Sequence, residues 1–370
     1  MPGDVPPLAA HIAQQARLCA EMASPLYERL LRACVADLAE DGPVADVLAD
    51  HLHAPGPAAT GLRLLGGVHH LVLTGRAERL AVQFPGSGGT PGDDLVPAFL
   101  ATLRVHREEL AAFVTHPPQT NAVGRAGALV GGLLRAGGLL LAGGDAAGSE
   151  MPVRLHEIGA SAGLLLNADR YRFQVGADGP WWGKPGAMPA FGDAWRGTAP
   201  EATAPLQVVE RVGSDLSPVD LRGLGAQERL LAYVWADQVE RLDATRAALA
   251  VAAEHPVPVQ ALDAVTAVER LQLRAGHLTV LWHSVMWQYL SREDQRAVTA
   301  ALGRLGATAT PDSPLLRLSM EPERPRPAAE HRFLVAATTW PGGERTVLGT
   351  TAGHGVPTTW HARQGQDDRD

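Results

Sequence analysis

Two spacings of apolar residues divide the chain. Between residues 8 and 113 the apolar side chains recur at helical spacing, with polar residues on the remaining positions. From residue 153 onward, short apolar runs that end in a glycine or an acid alternate with longer amphipathic segments. Such alternation of strands and helices is typical of an α/β protein with a parallel sheet. We therefore predict a helical N-terminal domain over residues 1–148 and an α/β domain over residues 149–362.

Five of the apolar runs are predicted to be adjacent parallel strands of one Rossmann-like sheet, because each run is followed by a helical segment. The runs contain Leu155, Val209, Val259, Val280 and Leu316. Two further runs, joined by Pro-Gly-Gly, predict a terminal antiparallel hairpin. Residues 174–205 are rich in Trp, Gly and Pro and are predicted to be an inserted lid, with plain packing of the tryptophans as the alternative. The polar residues 363–370 are expected to be a disordered tail.

The stretch Val153–Tyr171 carries the most informative pattern, a short apolar run followed by a glycine-rich turn. It predicts a strand, a tight turn and a helix, with Glu157 near the end of the strand. Gly159, Ser161 and Gly163 alternate with alanines, so the backbone N–H groups of the turn stay accessible to a ligand. A close-packed turn without a ligand is the simplest alternative.

Three ligand or catalytic patterns fit this turn. The first is the dinucleotide pattern GxGxxG, of which Gly159 supplies the first glycine while Ser161 and Leu164 occupy the other two glycine positions. The turn also matches the nucleophile elbow GxSxG, with Ser161 as the nucleophile. The third match is the acid-x-Gly-x-Gly-x-Gly loop that binds S-adenosylmethionine in Rossmann-like methyltransferases, with Ser161 in place of the central glycine.

Acids also end the second and third predicted strands. Asp215 follows the second strand and Asp263 follows the third. In a Rossmann-like sheet the carboxylate after the second strand accepts hydrogen bonds from ribose hydroxyls. A helix N-cap is the competing role for Asp215.

Polar and aromatic side chains gather near the fourth predicted strand. His283 and Tyr289 come at its carboxyl end, where open α/β sheets bind ligands, and a histidine there is a candidate general base. Its alternative role is a hydrogen bond to the backbone. Asn121 and Arg125 are one helical turn apart, so both are placed where they could face a ligand on the side of the Glu157 turn, and capping of the helix is the alternative role for Asn121.

Composition narrows the classes of partner. The 370 residues, 46% of them hydrophobic and 19% charged, are enough for a large core. A net charge of -8 without a Lys/Arg-rich block argues against nucleic acid. Two cysteines exclude a disulfide framework and a cysteine-based zinc site, and no metal site is predicted. The N-terminus lacks the features of a signal peptide and no apolar run reaches about 18 residues, so we expect a cytoplasmic protein without a membrane partner.

The strand–helix units, the terminal hairpin and the acids at three strand ends resemble class I methyltransferases that use S-adenosylmethionine. More closely, four stretches resemble a largely actinobacterial family, the domain of unknown function family 2332. The stretches are PPQTNAVGR, HEIGASAGLLLNADRYRF, ERVGSDLSPVDL and HSVMWQYL, and the final HG before Trp360 resembles that family as well. The methyltransferase resemblance implies S-adenosylmethionine as cofactor and a small-molecule acceptor. The cofactor would lie on Glu157, Gly159, Ser161, Gly163, Asp215 and Asp263, and the acceptor near Asn121, His283 and Tyr289.

Two other functions are compatible with the sequence. Ser161, Asp263 and His354 follow the chain order of an α/β-hydrolase triad. However, the helical N-terminal part offers no earlier strand to supply the oxyanion loop of such an enzyme. A methyltransferase-like protein that binds a nucleoside ligand without transferring a group is the third hypothesis. The sequence predicts no particular oligomeric state.

Overall fold

A computed structural model describes most of the chain. The described residues are 7–53, 59–116, 122–141, 151–323 and 332–362. The predicted domain boundary at residues 148–149 and the predicted tail at 363–370 lie outside these ranges, so both stay predictions.

The chain divides into two compact units, and both are discontinuous in sequence. The first comprises Met1–Thr120 and Leu221–Arg246, and the second comprises Asn121–Asp220 and Ala247–Asp370. The α-helices are α1 (Pro7–Glu21), α2 (Pro25–Leu38), α3 (Pro43–Val47), α4 (Thr60–Leu73), α5 (Glu78–Ala81), α6 (Leu95–Val105), α7 (Arg107–Val114), α8 (Ala126–Leu141), α9 (Ala226–Ala232), α10 (Val239–Glu254), α11 (Ala264–Glu269) and α12 (Arg292–Gly306).

The first unit is helical, as the spacing of apolar residues predicts. Its helices share one core of fully buried side chains, among them Leu30 and Phe99. Residues 221–246 join this core because the ring of Trp235 stacks on Tyr27, with the centroids 5.5 Å apart. Asp237 accepts a hydrogen bond from the backbone N–H of Leu26 at 3.0 Å and therefore caps α2 from a distant part of the sequence. In the described part of the chain, no helix is long and apolar enough to cross a membrane.

The second unit contains one mixed sheet. Its strands are β1 (Val153–Ile158), β2 (Arg172–Val175), β3 (Trp181–Trp182), β4 (Ala190–Gly197), β5 (Val208–Asp215), β6 (Val259–Ala261), β7 (Leu278–Ser284), β8 (Leu315–Glu323), β9 (Arg332–Trp340), β10 (Glu344–Thr351) and β11 (Thr358–Trp360). Within the described residues the strand order is β3-β2-β4-β11-β10-β9-β8-β7-β1-β5-β6.

The five predicted strands are confirmed as parallel neighbours. They form the run β6-β5-β1-β7-β8, in which every adjacent pair is parallel. The predicted hairpin is also confirmed, since β9 pairs antiparallel with β8 and with β10. The chain is therefore an α/β protein with a helical N-terminal region and a large, mostly parallel sheet that carries antiparallel strands.

The tryptophan-rich residues 174–205 form strands at the far end of this sheet. They supply β3 and β4 and the last residues of β2. Trp195 is fully buried and donates its indole N–H to the carbonyl oxygen of Gly127 at 2.8 Å. Trp182 is also buried. The segment expected as an inserted lid thus extends the sheet. Its indole rings are large and apolar, so burying them in packed strands stabilises the fold, whereas an exposed lid would leave them in water.

The segment after β1 differs from its prediction. Instead of an α-helix, Leu164–Arg170 forms a short 3₁₀ helix before the chain enters β2 at Arg172. The Tyr171 hydroxyl donates to the Leu164 carbonyl at 2.6 Å, and the Arg211 guanidinium donates to the Leu166 carbonyl at 2.9 Å. Side chains therefore satisfy carbonyl groups that a longer helix would pair with its own backbone.

The two faces of the sheet are covered by different helices. On one face, Ile158 and Leu281 share a core with residues of α11 and α12. On the other face, α8 packs so closely that a Cβ atom at Gly132 would lie 2.8 Å from the Leu318 side chain. Since side chains alternate along a strand, Glu157 points to the α8 face, while His156 and Ile158 point to the α11–α12 face.

The glycines of α8 provide a test of this packing. A Cβ atom at Gly131 would overlap the buried ring of Trp360, so we expect Gly131→Ala to lower the free energy of unfolding by about 1–3 kcal/mol. Gly303 in α12 is the matched control because nothing lies within 4 Å of a Cβ there. Gly303→Ala should stabilise the protein by up to about 1 kcal/mol through helix propensity. Urea denaturation measures both values, and a change of the same sign in both variants would contradict the described packing of α8.

Candidate active site

The order of the parallel strands reverses at β1. Among the five parallel strands, β5 and then β6 lie on one side of β1, and β7 and then β8 lie on the other side. A crevice opens outside the carboxyl ends of the strands at such a switch point, and this is where open α/β sheets bind ligands. Glu157 near the end of β1 and Ser284 at the end of β7 therefore border the candidate site.

The glycine turn after β1 is held in an unusual backbone conformation. Gly159, Ser161 and Gly163 have φ angles of 72°, 51° and 71°, which place all three in the left-handed region. A Cβ atom at Gly159 would also lie 3.0 Å from the Met286 Cβ. Position 159 thus needs glycine both for its φ angle and for the close approach of the chain after β7.

Asp215, the last residue of β5, binds this turn through hydrogen bonds. Its two carboxylate oxygens accept the backbone N–H groups of Ser161 and Ser217, each at 2.9 Å. The N–H groups of Gly159 and Ala160 donate to the Ser214 carbonyl at 2.9 and 3.0 Å. The structure therefore brings the predicted residues Gly159, Ser161 and Asp215 together, with Asp215 bound to main chain.

Asp263 lies at the same edge of the sheet but caps a helix. Ala261 pairs with Asp215 across β6 and β5, and Asp263 follows two residues later at the start of α11. Its carboxylate accepts the Thr266 backbone N–H at 2.8 Å and the Thr266 hydroxyl at 2.7 Å. The Thr266 backbone N–H lowers the pKa of Asp263, which is an exposed side chain.

Glu157 is a buried acid with an unsatisfied oxygen. Its side chain is 4% exposed, and its Oε2 atom has no hydrogen-bond partner of standard geometry, although the Trp282 indole N–H is near enough to lower the pKa of Glu157. Burial raises the pKa of Glu157 well above its usual value, and the positive charge of Arg125 opposes this rise. Burial therefore disfavours the ionised carboxylate, whereas the positive charge of Arg125 favours it.

Arg125 is the buried cation beside it. The guanidinium donates to the carbonyl oxygens of Gly353 and Ser284, both at a long 3.4 Å. Burial lowers the pKa of Arg125 to about 10, and nearby acidic groups, Glu321 first among them, limit this fall, so the side chain is charged at neutral pH. Within the described ranges neither Arg125 nor Glu157 forms a direct ion pair.

A buried acid and a buried cation that attract each other without touching are costly for the folded protein. A zwitterionic ligand would reduce this cost, because its ammonium group could donate to Glu157 while its carboxylate accepts from Arg125. Glu157 and Arg125 are therefore candidates for binding a ligand that carries both charges.

His283 lies on the opposite face of the sheet from Glu157, because Glu157 pairs in register with the preceding residue, Trp282. His283 is fully buried, and its Nδ1 lies 2.7 Å from the Glu321 Oε1. The Arg317 Nε donates to the His283 Nε2 at 3.1 Å, which assigns the ring proton to Nδ1. Burial lowers the pKa of His283, so the ring is neutral. Both ring nitrogens are engaged, and His283 positions Glu321 and Arg317 rather than presenting a free base.

The other predicted catalytic residues lie at the rim or outside the described part. Tyr289 is 78% exposed at the end of a short 3₁₀ helix, five residues after the end of β7. Asn121 is not among the described residues, so its role stays a prediction.

Sequence reasoning missed Glu321, Arg317 and Val285. Val285 has a φ of 51°, a conformation that costs a β-branched residue about 1–3 kcal/mol. This bend turns the backbone N–H groups of Met286 and Trp287 toward the Glu321 Oε1, at 3.2 and 3.3 Å. The pattern of acids at strand ends could have found Glu321 near the end of the fifth predicted strand, but no local signal marks Val285.

The hydrolase triad is not assembled in this structure. The Asp263 carboxylate is used by Thr266, and His354 follows β10. Six strand spacings separate β6 from β10, or roughly 29 Å at the usual distance between strands. The geometry therefore does not connect Asp263 with His354.

Two cavities flank the parallel strands on the α11–α12 side. One has a volume of about 320 Å³ and is lined by Arg154, His156 and Glu210 among others. The other has a volume of about 410 Å³ and lies beside His283 and Trp287. Neither lining includes the glycine turn, which faces the crevice at the edge of the sheet.

The raised pKa of Glu157 predicts how the stability of the protein depends on pH. Because the pKa of Glu157 is raised in the folded protein, the folded state holds a proton that the unfolded state loses above about pH 4.5. The stability that this group contributes is therefore complete at low pH and is lost as the pH rises toward the raised pKa. Glu157→Gln removes this titration and retains the shape of the protonated acid.

We expect the stability of Glu157→Gln relative to the wild type to grow with pH above about 4.5, by at most about 1.4 kcal/mol per pH unit. Urea denaturation between pH 4 and pH 8 measures this difference. Glu293→Gln, an exposed site in α12, is the control and should show little pH-dependent difference. A constant difference between Glu157→Gln and the wild type across the range would contradict the raised pKa.

No curated protein and no solved structure matches the chain. A family model does match, and it covers residues 9–360, which include parts of both compact units. The family is described as "Uncharacterized protein conserved in bacteria (DUF2332)". This match confirms the resemblance to family 2332, and the chain belongs to that bacterial family.

Proposed function

We propose that the protein binds S-adenosylmethionine at the carboxyl end of β1 and transfers its methyl group to a small-molecule acceptor. The observation that carries this proposal is the buried pair of Glu157 and Arg125, unpaired with each other, at the switch point of the sheet. The methionine part of the cofactor has the ammonium and carboxylate groups that this pair would satisfy.

The strand order supports the same proposal. Numbered by their order along the chain, the parallel strands β6-β5-β1-β7-β8 read 3-2-1-4-5, the order of a Rossmann-like sheet. An antiparallel strand then follows the fifth, as the methyltransferase resemblance implies. The short 3₁₀ helix after the glycine turn is a departure from the usual helix, so side chains carry more of the proposed binding than a helix N-terminus does.

The residues around the pair would hold the rest of the cofactor. Small residues in the glycine turn let a ligand approach the backbone closely. Asp215 would exchange one of its backbone hydrogen bonds for the ribose hydroxyls, and Asp263 stands at the same edge for the adenine amine.

Bound there, S-adenosylmethionine supplies a methyl group on a positively charged sulfur. The protein's part in such a displacement is to align the acceptor with that methyl group and to exclude water. The exposed Tyr289 borders the entrance, and Glu321 lies close enough to favour the charge of Arg125. We assign His283 a positioning role, because it holds Glu321 through a hydrogen bond of 2.7 Å.

Calorimetric titration with S-adenosylmethionine and S-adenosylhomocysteine tests this function. An ammonium group placed at Glu157 lowers the raised pKa of its carboxyl group, so binding should release protons in the pH range between the pKa of the free protein and that of the complex. The measured enthalpy will then depend on the ionisation enthalpy of the buffer. We expect Glu157→Gln to abolish this dependence and to weaken binding by roughly 10- to 100-fold, which corresponds to one charge-assisted hydrogen bond.

Arg125→Lys and Glu293→Gln complete the comparison. Lysine keeps the positive charge but loses the forked contact to a carboxylate, so we expect weaker binding by about tenfold. Glu293 is exposed in α12, and its replacement should leave binding unchanged. The absence of binding to the wild type at about 1 mM cofactor would refute the proposed function, and so would full binding by Glu157→Gln.

A further inference from the structure

A separate polar cavity lies on the α11–α12 face of the sheet. Its volume of about 410 Å³ falls within the range of pockets that hold small organic molecules. Arg317, Arg345, Glu321 and Glu323 line it together with the Trp287 ring. The glycine turn and Glu157 are not in this lining, so the inference does not depend on the proposed function.

Arg317 is the feature that suggests a ligand. Its guanidinium carbon lies 4.3 Å from the centroid of the Trp287 ring, and its Nε donates to the His283 Nε2 at 3.1 Å. These contacts fix the plane of the guanidinium through its Nε and its face, whereas the outer nitrogens, Nη1 and Nη2, form no hydrogen bond within the described residues. Among the described residues, no carboxylate forms an ion pair with Arg317.

A chain of hydrogen bonds through His283 and Glu321 fixes the position of Arg317. The Glu321 Oε1 accepts from the His283 Nδ1 at 2.7 Å and from the backbone N–H of Met286 at 3.2 Å. The fixed ring of His283 then orients Arg317 through its Nε2 atom. A rigid, forked pair of N–H donors is the arrangement that binds a carboxylate through both of its oxygens.

The remaining charges of the lining favour a single negative charge on the ligand. Arg345 is already paired with Glu323, and Glu321 is 6% exposed with its Oε2 atom unsatisfied. A phosphate monoester would bring a charge of about -1.5 to -2 toward these two acids, whereas a carboxylate brings one charge to match one arginine. The Trp287 ring and Pro322 add an apolar surface for the body of an organic molecule.

We propose that this cavity binds a small organic carboxylate, with the carboxylate on the outer nitrogens of Arg317 and the apolar part against Trp287 and Pro322. Binding needs no cofactor, because every group involved belongs to β7, β8 or the segment after β7.

Titrations with benzoate, acetate and inorganic phosphate test the proposal, with calorimetry and tryptophan fluorescence as readouts. We expect saturable binding of benzoate, weaker binding of acetate because it lacks an apolar body, and weaker binding of phosphate because of its second charge. Arg317→Lys should lower benzoate affinity at least tenfold, because lysine keeps the charge but loses the fork and the bond to His283.

Three further variants separate this site from its surroundings. Arg345→Lys should bind benzoate within about twofold of the wild type, because Arg345 already pairs with Glu323. Glu157→Gln should also bind normally, which distinguishes this site from the proposed cofactor site. Thr338→Leu narrows the cavity without changing its charge and should weaken binding, so it serves as the test if Arg317→Lys does not fold.

The proposal is overturned if benzoate shows no saturable binding to the wild type at about 20 mM, or if phosphate binds more tightly than benzoate. Full benzoate affinity in folded Arg317→Lys or in folded Thr338→Leu would overturn it as well. Loss of benzoate binding in Glu157→Gln would place the carboxylate at the edge of the sheet instead of in this cavity.

Discussion

The pairing of β1 with β5 on one side and β7 on the other is the constraint on which the rest of the second unit depends. It places the carboxyl end of β1 at the reversal of strand order, where side chains of three strands converge around an open crevice. It also fixes the registers that set Glu157 beside Trp282 and Gly213. A shift of one residue would move Glu157 to the opposite face and separate it from Arg125.

Buried charged side chains are arranged differently on the two faces of the sheet. On the α11–α12 face, Glu321, His283 and Arg317 form a connected chain of hydrogen bonds, so the buried charges stabilise one another and fix one geometry. On the α8 face, Glu157 and Arg125 stay apart, and the desolvation of each is only partly offset. The connected chain is suited to positioning, whereas the separated pair is suited to receiving charged groups from a ligand.

A residue with a strained backbone lies next to each of these two arrangements. Ser161 and Val285 both adopt left-handed conformations that side chains disfavour, and they lie in the segments that directly follow β1 and β7. Asp215 holds the first segment through the Ser161 N–H, and Glu321 holds the second through the N–H groups of Met286 and Trp287. Each carboxylate thus offsets local strain near the crevice with hydrogen bonds to the backbone.

Local sequence was sufficient for the strands and for part of the site. The runs around Leu155, Val209 and Val280 were recognisable because buried parallel strands are short and apolar, and glycine ends them clearly. The sequence also predicted that Gly159, Ser161 and Asp215 lie close together. The reason is that the carboxyl ends of neighbouring parallel strands meet at the same edge of the sheet. The face that His283 occupies depends on alternation along β7 and on the register with β1, which is not local information, so the sequence did not predict its hydrogen bonds to Glu321 and Arg317.

The sequence by itself determined the α/β class, the helical N-terminal region, the five parallel strands and the glycine turn, because each follows from the spacing of apolar residues or from the backbone freedom of glycine. Only the tertiary structure decided the strand order, the placement of the tryptophan-rich segment in the sheet and the capping role of Asp263. It alone brought Arg125 beside Glu157, and Arg317 beside His283. Partners far apart in sequence meet only when the whole sheet has formed, and the electrostatics of a buried group depend on those partners.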